Sequence, residues 1–334
     1  MRIETDVTRL LGIDLPVIQA GMSWASSSAA LPAAVSGAGG LGVIAAGPMR
    51  LPDLAATIDD VRAATGRPFA VNLPLYRQGA DEVIALLLER RIPVLIASQG
   101  GPKRYLDRFR AIGCICLHVV ASVEHAEKAA FAGVDGLIVV GGEAGGHPPP
   151  ALVSTLVILR AVARALPGLP LVASGGLADG AGLAAALSLG AGAAQFGTRF
   201  MATPEATIHP AYKDAVLRAG PEDTRTVGAG FGLIRALAND FTARMTILEQ
   251  QAAALDERRA WFGAATLKAA ALDGDVCGGK LEAGQSAGLV DEIEPAAALV
   301  RRIATEYLDI VARLPGALSP EPGPASRIVF AEPS

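Results

Sequence analysis

The chain has 334 residues and a formal net charge of −4 at pH 7, and 51% of its residues are hydrophobic. This mildly acidic composition provides no basic face for nucleic acid. No apolar run approaches the ~18 uncharged residues of a membrane helix, so we expect neither a nucleic acid nor a membrane as partner. The first residues include Glu4 and Asp6 and lack the apolar core of a signal peptide, which favours a cytoplasmic protein.

Eight short apolar runs, separated by segments of helical length, predict parallel β-strands that are covered on both faces. They lie at 17–19, 42–46, 69–73, 94–97, 116–120, 136–140, 171–173 and 193–196. The alternation predicts an α/β fold and, with eight units, a (β/α)8 TIM barrel. A doubly wound open sheet would show the same alternation and is the alternative.

The strand–helix rhythm stops after Met201, and the sequence then predicts a mostly helical cap domain inserted at about 206–277. The helices predicted there span 212–219, 232–251 and 254–272. The barrel would take residues 1–205 and about 278–314, with a final helix at 295–314. The tail at 315–334 contains five prolines and is expected to be extended.

Two of the predicted strands end in turns suited to a phosphate. The run 171–173 is followed by Ser174, Gly175 and Gly176, and the run 193–196 is followed by Gly197 and Thr198. Glycine permits close backbone approach and positive φ, so adjacent turns can present N–H groups to an anion. Because the loops after strands 7 and 8 frequently form the phosphate site of TIM barrels, we expect a phosphate of a substrate, product or cofactor here.

His147 is the candidate catalytic residue among the four histidines. It follows the glycine-rich segment 141–146 at the carboxyl end of the sixth predicted strand, and barrel enzymes place their active sites on that face. An imidazole that titrates near neutrality can donate or accept a proton there. His118 lies within a predicted strand and is expected to pack there or behind the site, with an orientation toward the top of the barrel as the alternative.

Other catalytic signatures are absent from the sequence. It contains neither a nucleophile elbow with suitable partners nor an H-E-x-x-H pair. The glycine run at 37–42 precedes a strand, whereas a dinucleotide fingerprint follows one. Cys114, Cys116 and Cys277 are expected to be packing residues. With few nucleophiles and a phosphate site, the chemistry is expected to belong to a cofactor, without a metal.

Several motifs in a fixed order resemble the FMN-dependent nitronate monooxygenase (2-nitropropane dioxygenase) family. They are VIQAGMSW at 17–24, AAVSGAGGLG at 33–42, EAGGH at 143–147, ASGG at 173–176, QFGTRF at 195–200 and AGQSAGL at 283–289. The resemblance runs over nearly the whole chain. It implies a TIM barrel that binds FMN.

The resemblance also implies roles for individual residues. His147 is similar to the family's active-site histidine, which would take the α-proton of a neutral nitroalkane or, when protonated, hold an anionic nitronate. The turn at 21–23 would support the flavin ring, and the glycines at 175–176 and 197 would hold the phosphate. The implied flavin-binding positions are Gly21, Met22, Ser23, Asn72, Gln99, Glu143, Gly145, Gly146, Ser174, Gly175, Gly176, Gln195, Gly197 and Thr198.

The resemblance leaves the activity open. A nitronate monooxygenase oxidises alkyl nitronates with O2, whereas the similar FMN-dependent enoyl-acyl-carrier-protein reductases and NADH:quinone reductases take electrons from NAD(P)H. Gly21 stands where many of the monooxygenases have a proline. The segment 231–241 resembles the enoyl reductases as closely as it resembles the monooxygenases. A non-catalytic flavin-binding module is a third alternative. A small-molecule substrate is expected for either enzyme, and the apolar cap helices favour a homodimer.

Overall fold

The structure, a computed structural model, describes residues 1–314, so the predicted tail at 315–334 lies outside the described residues. Eight strands form one parallel sheet in the order β1-β8-β7-β6-β5-β4-β3-β2. Their bounds are β1 Val17–Gln19, β2 Gly42–Ala45, β3 Phe69–Pro74, β4 Val94–Ser98, β5 Ile115–Val120, β6 Gly136–Val140, β7 Leu171–Ser174 and β8 Ala193–Phe196. All eight predicted strands are present.

The sheet closes into a barrel between β1 and β2. Ile18 forms a parallel bridge with Leu41, and the Gln19 N–H donates to the Leu41 carbonyl at 3.0 Å. The buried Gln19 side chain adds a second link, because its Oε1 accepts a hydrogen bond from the Val43 N–H at 2.9 Å. These contacts leave no open edge between the two strands. The prediction of a TIM barrel is confirmed, and the open-sheet alternative is wrong.

Helices surround the barrel and connect its strands. They are α1 Asp6–Leu11, α2 Ala30–Gly37, α3 Leu51–Ala64, α4 Ala80–Glu89, α5 Leu106–Arg110, α6 Val123–Ala132, α7 Thr155–Ala165, α8 Gly180–Ser188, α9 Thr198–Met201, α10 Pro210–Arg218, α11 Asp240–Gln250, α12 Leu255–Ala264 and α13 Ala296–Arg313. The last of these packs against α8, where the Gly180 N–H donates to Glu306 Oε2 at 2.9 Å. None of the helices between residues 1 and 314 combines the length and apolar character needed to cross a membrane.

Two apolar layers hold the barrel together. The inner layer fills the barrel with small and branched side chains such as Ile18, Val43 and Ile96, and it includes Val7 and Leu11 of α1. This helix therefore covers one end of the barrel interior. The outer layer packs the strands against the surrounding helices. With one end covered and the interior filled, the opposite face, at the carboxyl ends of the strands, carries the cavity described below.

The segment from 206 to 277 is less helical than predicted. Instead of one helix over 232–251, the chain forms a strand, β10 Ile234–Leu237, and then α11. This strand pairs antiparallel with β9 Thr224–Val227, which lies just before the predicted helix. Gly228 and Gly230 both have a φ of 88°, which allows the turn between the strands. Asn239 then caps α11 by accepting a hydrogen bond from the Thr242 N–H. The division of 206–277 from the barrel as a separate domain stays a prediction.

Candidate active site

A cavity of about 1310 Å³ opens at the carboxyl ends of the barrel strands. The predicted site residues that line it are Gly21, Met22, Ser23, Asn72, Gln99, Gly145, Gly146, His147, Ser174, Gly175, Gly176, Gln195, Gly197 and Thr198. These residues are far apart in sequence. They meet here because all carboxyl ends of a parallel barrel share one face. Their individual contacts with a flavin stay predictions.

The turns after β7 and β8 adjoin each other at this cavity. Gly175 and Gly176 have φ values of 106° and 73°, which favour glycine. Gln195 Nε2 donates to Ser174 Oγ at 3.0 Å and ties the two strand ends together. The Gly284 N–H donates to the Oγ1 of Thr198, the residue after Gly197, at 2.9 Å and brings the 283–289 motif against the second turn. The result is a pair of small-residue turns that an anion can approach closely.

Gly197 has the properties of a glycine that leaves room for a ligand. Its φ of −98° lies outside the left-handed region, so this dihedral does not require glycine. A Cβ at this position would meet only ordinary contacts, at 3.8 Å from the Ala20 Cβ and 3.9 Å from the Met22 sulfur. Protein packing therefore leaves space beside this residue, which lines the cavity. The space suits a phosphate whose oxygens approach the main chain.

The turn after β1 packs tightly on Asn72 of β3. A Cβ on Gly21 would lie 2.5 Å from the Asn72 Cβ, so only glycine fits without rearrangement. Asn72 Nδ2 donates to the Ile96 carbonyl of β4 at 3.2 Å, and the Met22 N–H donates to Ser26 Oγ at 3.0 Å. These contacts fix the predicted flavin platform at 21–23 relative to β3 and β4.

The loop that carries His147 is clamped on both sides. A Cβ on Gly145 would lie 2.4 Å from the Ala283 carbonyl carbon, so the loop is packed directly on the main chain at the start of the 283–289 motif. Gly146, with a φ of 68°, pairs with Arg235 of β10 through N–H to carbonyl bonds of 3.1 and 2.7 Å. The β-strand that the sequence did not predict therefore positions the histidine loop.

The Arg235 side chain adds to this clamp. Its Nη2 donates to the Gly142 carbonyl at 2.8 Å, and its Nη1 donates to Thr224 Oγ1 at 2.9 Å. Burial lowers the pKa of Arg235, and the negative charge of Glu143 opposes this effect. The guanidinium thus joins β9, β10 and the start of the 141–147 loop.

The Glu143 side chain is directed to the start of α7. Its Oε2 accepts hydrogen bonds from the Thr155 N–H and the Thr155 hydroxyl, both at 2.9 Å. Glu143 is not among the residues that line the cavity. The contacts with Thr155 satisfy a free N–H at the helix terminus and hold the loop in place. A direct contact of Glu143 with a flavin stays a prediction.

His118 lines the cavity from β5, although it is mostly buried. Its Nδ1 lies 2.9 Å from the hydroxyl oxygen of Tyr105, which is fully buried. Burial lowers the pKa of His118, with a smaller opposing contribution from a hydrogen bond to the Gly100 backbone. His118 therefore packs behind the site on the side of Tyr105 and also faces the cavity at the top of the barrel, so both expectations describe part of its surroundings.

Sequence reasoning missed four charged residues of the cavity, namely Arg77, Lys128 and two residues just before the 283–289 motif. Lys280 and Glu282 both line it. The Lys280 Nζ lies 3.6 Å from the centroid of the Phe262 ring, and Glu282 Oε2 lies 3.2 Å from the position of a Cβ on Gly146. The only signal available in the sequence was their place immediately before the 283–289 motif.

Comparisons with known proteins agree with this geometry. A family model described as nitronate monooxygenase matches residues 4–83 and 75–306. The nitronate monooxygenase of Paraburkholderia phytofirmans is 32% identical over 352 aligned positions, which cover 91% of this chain and 95% of the relative. FabK from Thermotoga maritima has a TM-score of 0.88 and 37% sequence identity, with 93% of this chain and 98% of that chain covered.

A further relative matches part of the chain. The (3aS,4S,5R,7aS)-5-hydroxy-7a-methyl-1-oxo-octahydro-1H-indene-4-carboxyl-CoA dehydrogenase of Mycobacterium tuberculosis is 38% identical over 226 residues. The match covers 67% of this chain and 63% of the relative, less than two thirds of its length. The family model covers most of the residues that build the barrel and the cavity. The chain belongs to the nitronate monooxygenase family, whose enzymes are flavin-dependent oxidoreductases.

Proposed function

We propose that this protein is an FMN-dependent oxidoreductase that oxidises alkyl nitronates with O2. The observation that carries the proposal is that the glycine turns after β7 and β8 and the histidine after β6 open into one cavity. Family membership supports it, as does the nitronate monooxygenase of P. phytofirmans. The cavity of about 1310 Å³ exceeds the ~300–1,000 Å³ of common ligand pockets, which leaves room for a cofactor and a substrate together.

The residues present fit FMN. Gly175, Gly176, Gly197 and Thr198 would hold its phosphate, because the first turn has the positive φ of two glycines and the second leaves open space at Gly197. The turn at 21–23 would lie against the ring system. When bound, FMN supplies the redox chemistry that the side chains of this chain lack.

The protein itself would bind and orient the substrate. His147 stands on a loop fixed by Gly145 and by the pairing of Gly146 with Arg235, so its imidazole is held at a defined place. It would take the α-proton of a neutral nitroalkane, or it would hold an anionic nitronate while protonated. Trp24 and Phe262 contribute apolar surface to the same cavity and would help to exclude water.

A second candidate function is reduction by NAD(P)H, either of an enoyl thioester or of a quinone. FabK, an enoyl-acyl-carrier-protein reductase, matches over 93% of the chain at 37% identity. The M. tuberculosis relative is named as a dehydrogenase of a coenzyme A thioester. Both matches favour a larger, thioester-bearing substrate, for which the cavity has space.

The electron donor distinguishes the two candidates. The oxidised, FMN-loaded protein is mixed anaerobically with propyl-2-nitronate, NADH or NADPH in turn, and the flavin absorbance is followed. We expect bleaching by the nitronate. Bleaching by a pyridine nucleotide alone would exclude the monooxygenase function and support the reductase. The His147→Ala variant, loaded with FMN, is the control for reduction outside the site.

A further inference from the structure

One cation of the cavity has no oxygen partner among residues 1–314. Three lysine and arginine residues line the cavity, namely Arg77, Lys128 and Lys280. Arg77 donates to two backbone carbonyls, and Lys128 forms an ion pair with Glu124. The Lys280 ammonium forms neither kind of contact within the described chain. Its positive charge is therefore available to a ligand of the cavity.

The main chain around Lys280 is fixed. Its N–H donates to the Thr266 carbonyl at 3.2 Å. The carbonyl of the next residue, Leu281, accepts a hydrogen bond from the Leu237 N–H of β10 at 2.8 Å. The carbonyl of the preceding residue accepts one from Asn239 Nδ2, also at 2.8 Å. These bonds define the part of the cavity that the ammonium can reach.

Aromatic rings hold the Lys280 ammonium without using its hydrogen-bond donors on oxygen. The Nζ lies 3.6 Å from the centroid of the Phe262 ring and 5.8 Å from that of the Phe241 ring. Ring faces attract a cation, whereas N–H contacts to a ring are weak. An ammonium has three donors, and this one belongs to a half-buried residue of the cavity wall. An anionic oxygen would meet a cation there that is already positioned and partly desolvated.

This charge lies in the same part of the cavity as His147. Burial raises the pKa of the Glu282 carboxyl, and the positive charges of His147 and Lys280 both oppose that rise. Glu282 Oε2 lies 3.2 Å from the position of a Cβ on Gly146, the residue before His147. Burial lowers the pKa of Lys280, and the negative charge of Glu282 opposes this effect. An anion on Lys280 would therefore lie on the side of the cavity that carries the histidine.

The FMN phosphate already has a proposed place at other residues. The turns at 174–176 and 197–198 would hold it, and they contain neither lysine nor arginine. Main-chain N–H groups can bind a phosphate without a side-chain cation. The Lys280 charge is therefore left for the other anion of the proposed reaction, the nitronate.

We propose that Lys280 binds the planar, anionic NO2 group of the nitronate. This assignment rests on the proposed function and adds the residue that supplies the binding charge. A half-buried site screens the attraction between the ammonium and the anion less than water does. Because the lysine carries the charge, His147 does not need to be protonated to hold the substrate.

The test measures the binding of nitrate to the FMN-loaded protein. Nitrate is a planar anion that resembles the nitro group and donates no electrons. It is added at constant ionic strength, and the change in flavin absorbance gives a Kd. Lys280→Met should raise this Kd by about 10- to 150-fold, the effect of losing one hydrogen bond to a charged group. Lys268→Met is the charge-matched control, because Lys268 is exposed and does not line the cavity.

The control should keep the wild-type Kd for nitrate. Lys280→Arg, which keeps the charge, should bind nitrate more tightly than Lys280→Met, and His147→Ala should still bind it. If Lys280→Met does not fold, Lys280→Gln must show the loss instead. These results together would assign the binding charge to the lysine.

Three results would overturn the proposal. The first is a wild-type protein that binds no nitrate, or folded Met and Gln variants of Lys280 that keep the wild-type Kd. The second is a loss of nitrate binding in His147→Ala alone. The third is weaker binding of NADP⁺ by Lys280→Met with an unchanged Kd for nitrate, which would assign the charge to a phosphate-bearing ligand.

Steady-state kinetics with propyl-2-nitronate provide the second readout. In Lys280→Met, KM should rise by the same factor while kcat changes little, because the charge holds the anion equally before and during the reaction. A lower kcat with an unchanged KM would contradict a binding role. The nitrate titration needs no turnover, so an absence of nitronate oxidation would refute the proposed function and leave the Lys280 result readable.

Discussion

Replacement of Gly197 by alanine should weaken the proposed phosphate contact without disturbing the fold. The added Cβ would lie 3.8 Å from the Ala20 Cβ and 3.9 Å from the Met22 sulfur, so the protein itself accommodates it. The methyl group would instead occupy space beside the turn that we assign to the phosphate. The variant should therefore fold normally and bind FMN weakly.

The magnitude follows from the contact that would be lost. A hydrogen bond to a charged group contributes about 1.5–3 kcal/mol, and each ~1.4 kcal/mol changes an affinity tenfold. Loss of one N–H bond to the phosphate should raise the Kd for FMN by about 10- to 150-fold. The free energy of unfolding of the apoprotein should change by less than about 1 kcal/mol.

The assay is a titration of apoprotein with FMN, followed by flavin fluorescence, together with urea unfolding of each variant. Gly66→Ala is the matched control, since a Cβ there meets nothing within 4 Å and the residue is exposed. The control should bind FMN as wild type does. A Gly197→Ala protein with the wild-type Kd would refute the assignment of this turn to the phosphate.

Three further predictions follow from the other residues of the site. His147→Ala should keep FMN, because the turns proposed to hold the phosphate follow β7 and β8. It should lose about 10²–10⁴-fold in turnover, the usual contribution of a general acid or base. Wild-type turnover would refute its role. Tyr105→Phe leaves the buried His118 Nδ1 without its partner and should lower the urea-unfolding free energy by about 1–3 kcal/mol; an unchanged value would contradict the bond. Burial lowers the pKa of His118 in the folded state, so protonation of this residue favours unfolding. The unfolding free energy should therefore fall as pH drops below about 6.5, and it should fall less in His118→Gln. Equal slopes of unfolding free energy against pH in the two proteins would contradict this.

Much of the barrel could be predicted from sequence because each strand is a short apolar run bounded by turn residues. The run 136–140 agrees fully with β6, Gly136–Val140. The glycine turns and His147 were located by the same logic, since strand ends determine which residues reach the active face. Asp179 marks the start of α8 in the same way, because its side chain accepts a hydrogen bond from the Gly182 N–H.

The parts that could not be predicted depend on contacts between distant segments. The 232–237 run has the apolar character of a helix, yet Ile234–Leu237 pairs with β9 as a strand, and Arg235 also bridges to Gly146. Tertiary pairing decides the structure of such a short run. Glu282 carries no local signature of a site residue, and only the packing of Ala283 on Gly145 brings it beside Gly146.

The most direct measurement is the identity and amount of the chromophore that FMN-supplemented, purified protein releases on denaturation. We expect one FMN per chain from wild type, the same from His147→Ala and Gly66→Ala, and much less from Gly197→Ala. A wild-type protein that releases no flavin, or that retains a different flavin in preference to FMN, would contradict the assignment of the cavity as an FMN site.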